Sequence, residues 1–327
     1  MKKGFTYGYD SHRGMLKTEE AHNSMKRLAA MGGDWTALAF TVSQESFSSV
    51  NFGFDYRYTD TDSEIITAIN RLKALDMKIC LKPMVNCRDG VWRAHISFPD
   101  IEFPVTAAPV KTHHKTYWDE WFSCYTAFIC HYAEIAEDTG CEMLCIGCEM
   151  LGTEKKTDLW RKLIEKVRSI YSGELVYNTN HGCENGVEWF DAVDYIGTSA
   201  YFPVGRDGSS REAMMRGWEK VKPDLKAVSE KFGKKVIFME IGCRSAKGCS
   251  AMPWDFLHTD LPYDEDEQDR FYDTALEVFS GEPWFDGFFW WDWQTVLDPS
   301  KEYGSDRGFS IIGKKAEQTV TKWYSGK

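Results

Sequence analysis

Eight short apolar runs, each followed by a stretch of helical periodicity, succeed one another along the 327 residues. A parallel strand covered on both faces reads as such a run, and parallel neighbours have to be joined by a crossover, usually a helix. The runs span residues 5–9, 35–41, 79–85, 143–148, 175–178, 195–200, 236–239 and 285–291. The helical patterns span 18–31, 63–75, 117–137, 159–170, a short one near Val187, 211–231, 267–279 and 315–324. In the third of these, Trp118, Trp121, Phe122, Tyr125, Phe128, Ile129 and Tyr132 recur at helical spacing, the pattern of a face packed on a sheet.

Eight strand–helix units predict an α/β fold, a (β/α)8 TIM barrel occupying residues 1–327 as one domain. The other arrangement of such units, a doubly wound open sheet, would carry a Gly-rich phosphate loop after its first strand. That turn reads Asp10-Ser11-His12-Arg13-Gly14, which matches neither nucleotide-binding pattern. The connections are also unequal. Helix-to-strand turns such as Gly32-Gly33-Asp34 and Asp76-Met77-Lys78 are short, whereas the strand-to-helix segments 42–62, 86–116, 243–266 and 292–313 are long. In a barrel the long segments all lie at the C-terminal ends of the strands, so they predict a cleft on that face.

Two glutamates end predicted strands there. Glu149 closes Met143-Leu144-Cys145-Ile146-Gly147-Cys148-Glu149, and Glu240 closes Val236-Ile237-Phe238-Met239-Glu240. An acetal is cleaved by protonating its leaving oxygen while an oxocarbenium-like centre is stabilised from the opposite side, and two carboxyl groups can do both. In a retaining enzyme Glu240 would be the nucleophile and Glu149 the acid/base. A single glutamate in such a place would read as an ion-pair residue; two, at predicted strands four and seven, point to a glycosidase.

The arrangement resembles the clan of retaining β/α-barrel glycosidases, and within it the chain is similar to glycoside hydrolase family 113. The likeness rests on Gly4-Phe5-Thr6-Tyr7-Gly8, Leu81-Lys82-Pro83, Ile146-Gly147-Cys148-Glu149, Phe238-Met239-Glu240-Ile241-Gly242 and Phe288-Phe289-Trp290-Trp291-Asp292-Trp293. It implies hydrolysis of β-1,4-mannan or manno-oligosaccharides through a covalent glycosyl-enzyme. It also implies that Tyr201 hydrogen-bonds the nucleophile and that Trp291 is the aromatic floor under the sugar being cleaved. One position departs from the clan: where Asn ordinarily precedes the acid/base and helps to bind the sugar 2-hydroxyl, this chain has Cys148, a weak donor.

Asn86 and Arg88 after the third strand, and Asn178, Asn180 and His181 after the fifth, are expected to face the cleft as hydroxyl ligands or to cap loop backbone. Lys82 is either an interior ion-pair partner or a group near the nucleophile. Cys145 and Cys148 form a CxxC, but residues three apart on a regular strand point to opposite faces, so buried thiols are expected rather than a metal. His12, His113 and His114 read as loop histidines, and 264–267 as the acidic start of the seventh helix. No metal and no cofactor is expected.

A net charge of −11 opposes nucleic acid or an anionic membrane surface as a partner, and no segment is apolar enough to span a bilayer. The expected partner is an oligosaccharide or polysaccharide, to whose rings 13 Trp and 15 Tyr can offer flat apolar faces. Met1-Lys2-Lys3 is not followed by the apolar core of a secretory signal, and the ten cysteines do not have the spacing of a disulfide scaffold. A cytoplasmic location is expected, although a secreted chain trimmed of its signal would read the same. Two other readings stay open: a β-xylosidase- or β-glucosidase-type hydrolase, and a catalytically weak carbohydrate-binding barrel. The pair of glutamates favours an enzyme, because binding does not need a carboxyl group on each side of one bond.

Overall fold

The computed structural model describes residues 1–107, 111–298 and 300–326, with backbone alone for 103–107 and 111–114. Eight parallel strands, β1 (Lys2–Tyr7), β2 (Trp35–Gln44), β3 (Lys78–Cys87), β4 (Met143–Cys148), β5 (Glu174–Asn180), β6 (Tyr195–Ser199), β7 (Lys235–Ile241) and β8 (Phe285–Trp293), follow one another around a barrel. It closes because β1 pairs with both β2 and β8. Outside it stand α1 (Glu19–Ala30), α2 (Asp62–Lys73), α3 (Tyr117–Thr139), the short α4 (Leu151–Glu154), α5 (Thr157–Arg168), α6 (Arg211–Phe232), α7 (Glu265–Phe279) and α8 (Lys315–Ser325).

Local sequence explains where elements begin and stop. Thr61 with Glu64, and Thr116 with Asp119, form reciprocal capping boxes that start α2 and α3. Gly140, in left-handed conformation at φ 64°, ends α3. Asp264 accepts from the Glu267 backbone N–H, so the acidic stretch does open a helix. The aromatic stripe of α3 is buried against the sheet except for the half-buried Phe128. The first strand ends at Tyr7 rather than residue 9, because Gly8 takes φ 93° and comes so near β2 that a Cβ would sit 2.8 Å from the Ala39 carbonyl oxygen.

Three expectations need correction. Near Val187 there is no α-helix but two 3-10 turns, Glu184–Gly186 and Phe190–Ala192; the segment is brief, glycine-bearing, and held by Trp189 stacked on Trp160 at 4.5 Å. The segment 86–116 contains a two-stranded hairpin, Glu102–Ala107 with Lys111–Thr116. The backbone of His113 and His114 is therefore in a strand, and their side chains lie outside the described residues. Finally, Cys145 and Cys148 do not point to opposite faces. The pairing of β4 with β5 shifts register between them, and both thiols enter the barrel interior, Cys145 beside Cys80 and Met239, Cys148 beside Ala39 and Met84. Even so, among the described residues no cluster of His, Cys, Asp or Glu is arranged to hold a metal ion.

Candidate active site

The barrel interior sets the direction of each functional side chain. On β3, Cys80 and Met84 point inward, so Lys82 between them does too. On β8, Phe289 fills the interior and Trp291, two residues on, rises into the cleft, while Trp290 and Trp293 pack outward. Trp290 donates to Tyr324 OH at 2.8 Å and Trp293 to Ser24 Oγ at 3.1 Å. On β7, Ile237 and Met239 already point inward, and unbroken alternation would turn Glu240 out. A register shift against β6 between Phe238 and Glu240 turns it in instead. Glu149 follows the β4 irregularity with φ 55°, a left-handed conformation uncommon for a residue with a side chain, fixed by its N–H donating to the Asn178 carbonyl at 2.7 Å.

The two carboxyl groups are buried, at 9% and 4% exposure, in unlike surroundings. Four donors converge on Glu240. Lys82 Nζ reaches Oε1 at 2.6 Å, Cys148 Sγ and Asn178 Nδ2 reach the same oxygen at 3.3 and 3.4 Å, and Tyr201 OH reaches Oε2 at 3.2 Å. Such donors stabilise a negative charge. Glu149 has fewer: Trp92 Nε1 donates to Oε2 at 3.3 Å, and Arg93 Nη1 stands 3.7 Å from that oxygen. Burial pushes the Glu149 carboxyl above the usual range and the charge of Glu240 pushes it further; Arg93, Ser199 and Lys82 oppose the rise without cancelling it. Burial also holds the Cys148 thiol and the Tyr201 phenol well above their ordinary values, so both are protonated donors.

Above the pair opens a cleft of about 1020 Å³. Glu149, Glu240, Tyr201, Trp291, Asn86 and His181 line it, with Asn180. Trp291 packs on Tyr9 at 4.6 Å, and burial holds His181 below its usual value, as a neutral ring stacked on Trp254 at 5.5 Å. Three residues expected at the cleft are elsewhere. Arg88 turns aside to Asp55, 3.6 Å away, in a neighbouring recess of about 430 Å³, because the chain bends after β3. Cys148 and Asn178 lie beneath Glu240, the inward phase of β4 and β5 leaving them buried under the carboxylate.

The residues that sequence reasoning passed over are Trp92 and Arg93 beside Glu149, Tyr9 and Asp292 by Trp291, and Trp254, Phe256 and Phe309 on the rim. The rim aromatics carry a weak signal, since Trp92, Trp254 and Phe256 are large apolar residues in long loops. Asp292 is pushed up to about 7, first by burial and then by Asp10.

A family model described as Glycoside Hydrolase Family 113 matches residues 5–314. No curated protein matches the chain. Among solved structures, the GH113 β-mannanase AaManA from Alicyclobacillus acidocaldarius is 37% identical over 99% of this chain and 97% of its own, with a TM-score of 0.87. A structure described as a complex of a GH113 β-1,4-mannanase is 35% identical over the whole of both chains, with a TM-score of 0.86. A β-glucuronidase from Faecalibacterium prausnitzii shares the fold alone, at 12% identity and a TM-score of 0.62 over 99% of this chain and 49% of its own. With the family model spanning nearly all of a barrel whose cleft holds two buried glutamates, the chain belongs to glycoside hydrolase family 113.

Proposed function

We propose that the protein hydrolyses β-1,4-mannan or manno-oligosaccharides with retention of configuration, Glu240 acting as nucleophile and Glu149 as acid/base. The observation that carries this reading is the inequality of the two carboxyl groups under one cleft. Glu240 is ringed by Lys82, Cys148, Asn178 and Tyr201, donors that suit an anion, whereas burial and the nearby charge of Glu240 favour the proton on Glu149. The β-mannanase relatives at 35–37% identity support the choice of sugar.

In the first step a Glu240 oxygen bonds to the anomeric carbon, the glycosidic C–O bond breaks, and the Glu149 proton goes to the departing oxygen. In the second, Glu149 takes a proton from water, the water oxygen bonds to the same carbon, and the ester to Glu240 breaks. Trp291 is the apolar platform for the ring being cleaved, and Tyr201 holds the nucleophile by its second oxygen. Asn86 and His181 bind hydroxyls from the walls of the cleft. Cys148 donates to Glu240, so the clan's usual contact to a sugar hydroxyl is made by another group or not at all. The ten free thiols suit a reducing compartment such as the cytoplasm.

The test is a panel of manno-, xylo- and cello-oligosaccharides, with the first-formed anomer of the product read by NMR. Cleavage of manno-oligosaccharides to the β-anomer is expected. A preference for xylo- or cello-oligosaccharides would overturn the sugar assignment, and an α-anomer the retaining mechanism.

A further inference from the structure

Arg93 stands in the turn Arg93–His95 that follows β3 and is 7% exposed. Its Nε donates to the Val85 carbonyl at 3.0 Å, which pins the guanidinium to the end of the strand. Nη1 is buried, has no hydrogen-bond partner among the described residues, and lies 3.7 Å from Glu149 Oε2. That separation is too long for a hydrogen bond yet short for two charges shielded from water. The hydrogen bond to this oxygen comes from Trp92 instead. A guanidinium cannot shed its proton, so a permanent cation is held against Glu149 without saturating it. Burying a charge with so few partners costs stability, which an apolar residue packed there would avoid.

We propose that Arg93 is a positioning residue that lets Glu149 act as a base in the second half of the reaction, by stabilising its carboxylate once Glu240 has become an ester. This rests on the reading of Glu149 as the acid/base. The groups facing Glu149 are Glu240 from β7, Lys82 from β3, Cys148 from β4, Ser199 and Tyr201 from β6 and its end, and Arg93. While Glu240 is charged, it and burial keep the proton on Glu149. In the glycosyl-enzyme that charge is gone, and Glu149, having given its proton to the departing oxygen, must stay a buried anion until it takes a proton from the incoming water. Lys82 is aimed at the Glu240 oxygen 2.6 Å away, whereas the nearest carboxylate to Arg93 is Glu149 itself. Loss of Arg93 therefore lets Glu149 regain a proton in the glycosyl-enzyme and slows the second step, while the first step is spared for a leaving group that needs no proton.

The experiment uses the full chain with Arg93→Met and Arg93→Lys, and dinitrophenyl β-mannobioside as the probe. For Arg93→Met, kcat should fall roughly tenfold, with its acidic limb moved up by about one pH unit, while kcat/KM changes much less. A burst of dinitrophenol and a covalent glycosyl-enzyme in the intact mass spectrum should accompany this. Arg93→Lys, which keeps the charge, should restore the profile. If Arg93→Met does not fold, Arg93→Gln, which retains a donor for Val85, must show the same split. Equal losses of kcat and kcat/KM, with no burst and unmoved limbs, would reduce Arg93 to a support for the loop. Glu149→Ala with azide separates the two readings: no glycosyl azide would remove the acid/base assignment itself, whereas azide capture without the Arg93 split would remove only the proposal made here.

Discussion

Glu154 ends α4, the turn that leads away from Glu149, and ties it to β5. Tyr177 OH and Thr179 Oγ1 both donate to its Oε1, at 2.9 and 2.6 Å, and the residue is 5% exposed. Burial pushes its carboxyl from 4.5 up to about 7; the two donors pull it down and Glu184 adds to the rise. With the folded value above the unfolded one, folding is favoured by protonation. Below about pH 4.5 both states hold the proton and the group contributes no difference; between pH 4.5 and about 7 the unfolded chain releases it first, so stability falls as pH rises. The difference of about 2.5 units at ~1.36 kcal/mol each gives a penalty on the order of 3 kcal/mol above pH 7. Glu154→Gln presents the same accepting oxygen to Tyr177 and Thr179, puts an amide where the acid carries its proton, and does not titrate. It should match the parent protein near pH 4 and exceed it at pH 8 by up to ~3 kcal/mol, a few degrees in Tm for a chain of this size. Thermal melts of both proteins from pH 4 to pH 8 measure this. A Tm difference that stays constant across the range, or a variant less stable at pH 8, would refute the reasoning.

The two site glutamates should fail differently. Glu240→Ala should abolish turnover of every substrate, whereas Glu149→Ala should keep the first step for aryl glycosides with good leaving groups and recover turnover with azide as a β-glycosyl azide; equal losses on activated and unactivated substrates would contradict the division of roles. Trp291→Ala should lower turnover at least ~10-fold with little change in Tm, because its ring faces the cleft, while Trp290→Ala should cost ~3–5 kcal/mol of stability, because its ring is fully buried; a lowered Tm with normal turnover in Trp291→Ala would reverse the assignment. Lys82→Met leaves Glu240 without its 2.6 Å counter-ion, and breaking one side of such a buried pair costs about 3–5 kcal/mol; a sharply lower Tm together with a loss of turnover is expected, and unchanged values in both would show the pair to be idle.

The barrel was legible in the sequence because strand and helix impose different periods on apolar residues, and eight alternations leave few architectures. Glu149 and Glu240 were legible for a related reason: a carboxylate at the end of an apolar run is conspicuous, and the unequal lengths of the connections mark the face on which such ends gather. Direction was not legible. Alternation alone would have set Cys145 against Cys148 and turned Glu240 away from the interior; register shifts reversed both, and a shift of pairing depends on the neighbouring strand, which no local pattern contains. The phase of β8 was equally hidden, since Phe288, Phe289, Trp290 and Trp291 are aromatic on both faces, until Phe289 entered the barrel. Arg88 and Arg93 follow the same strand and carry the same charge, yet only the fold of the loop brought one of them to Asp55 and the other to Glu149. Sequence determined which elements form and which residues can do chemistry, because those follow from local periodicity and side-chain type; the tertiary structure decided which of them face each other, because electrostatic and hydrogen-bonding partners are set by distances in space between residues remote along the chain.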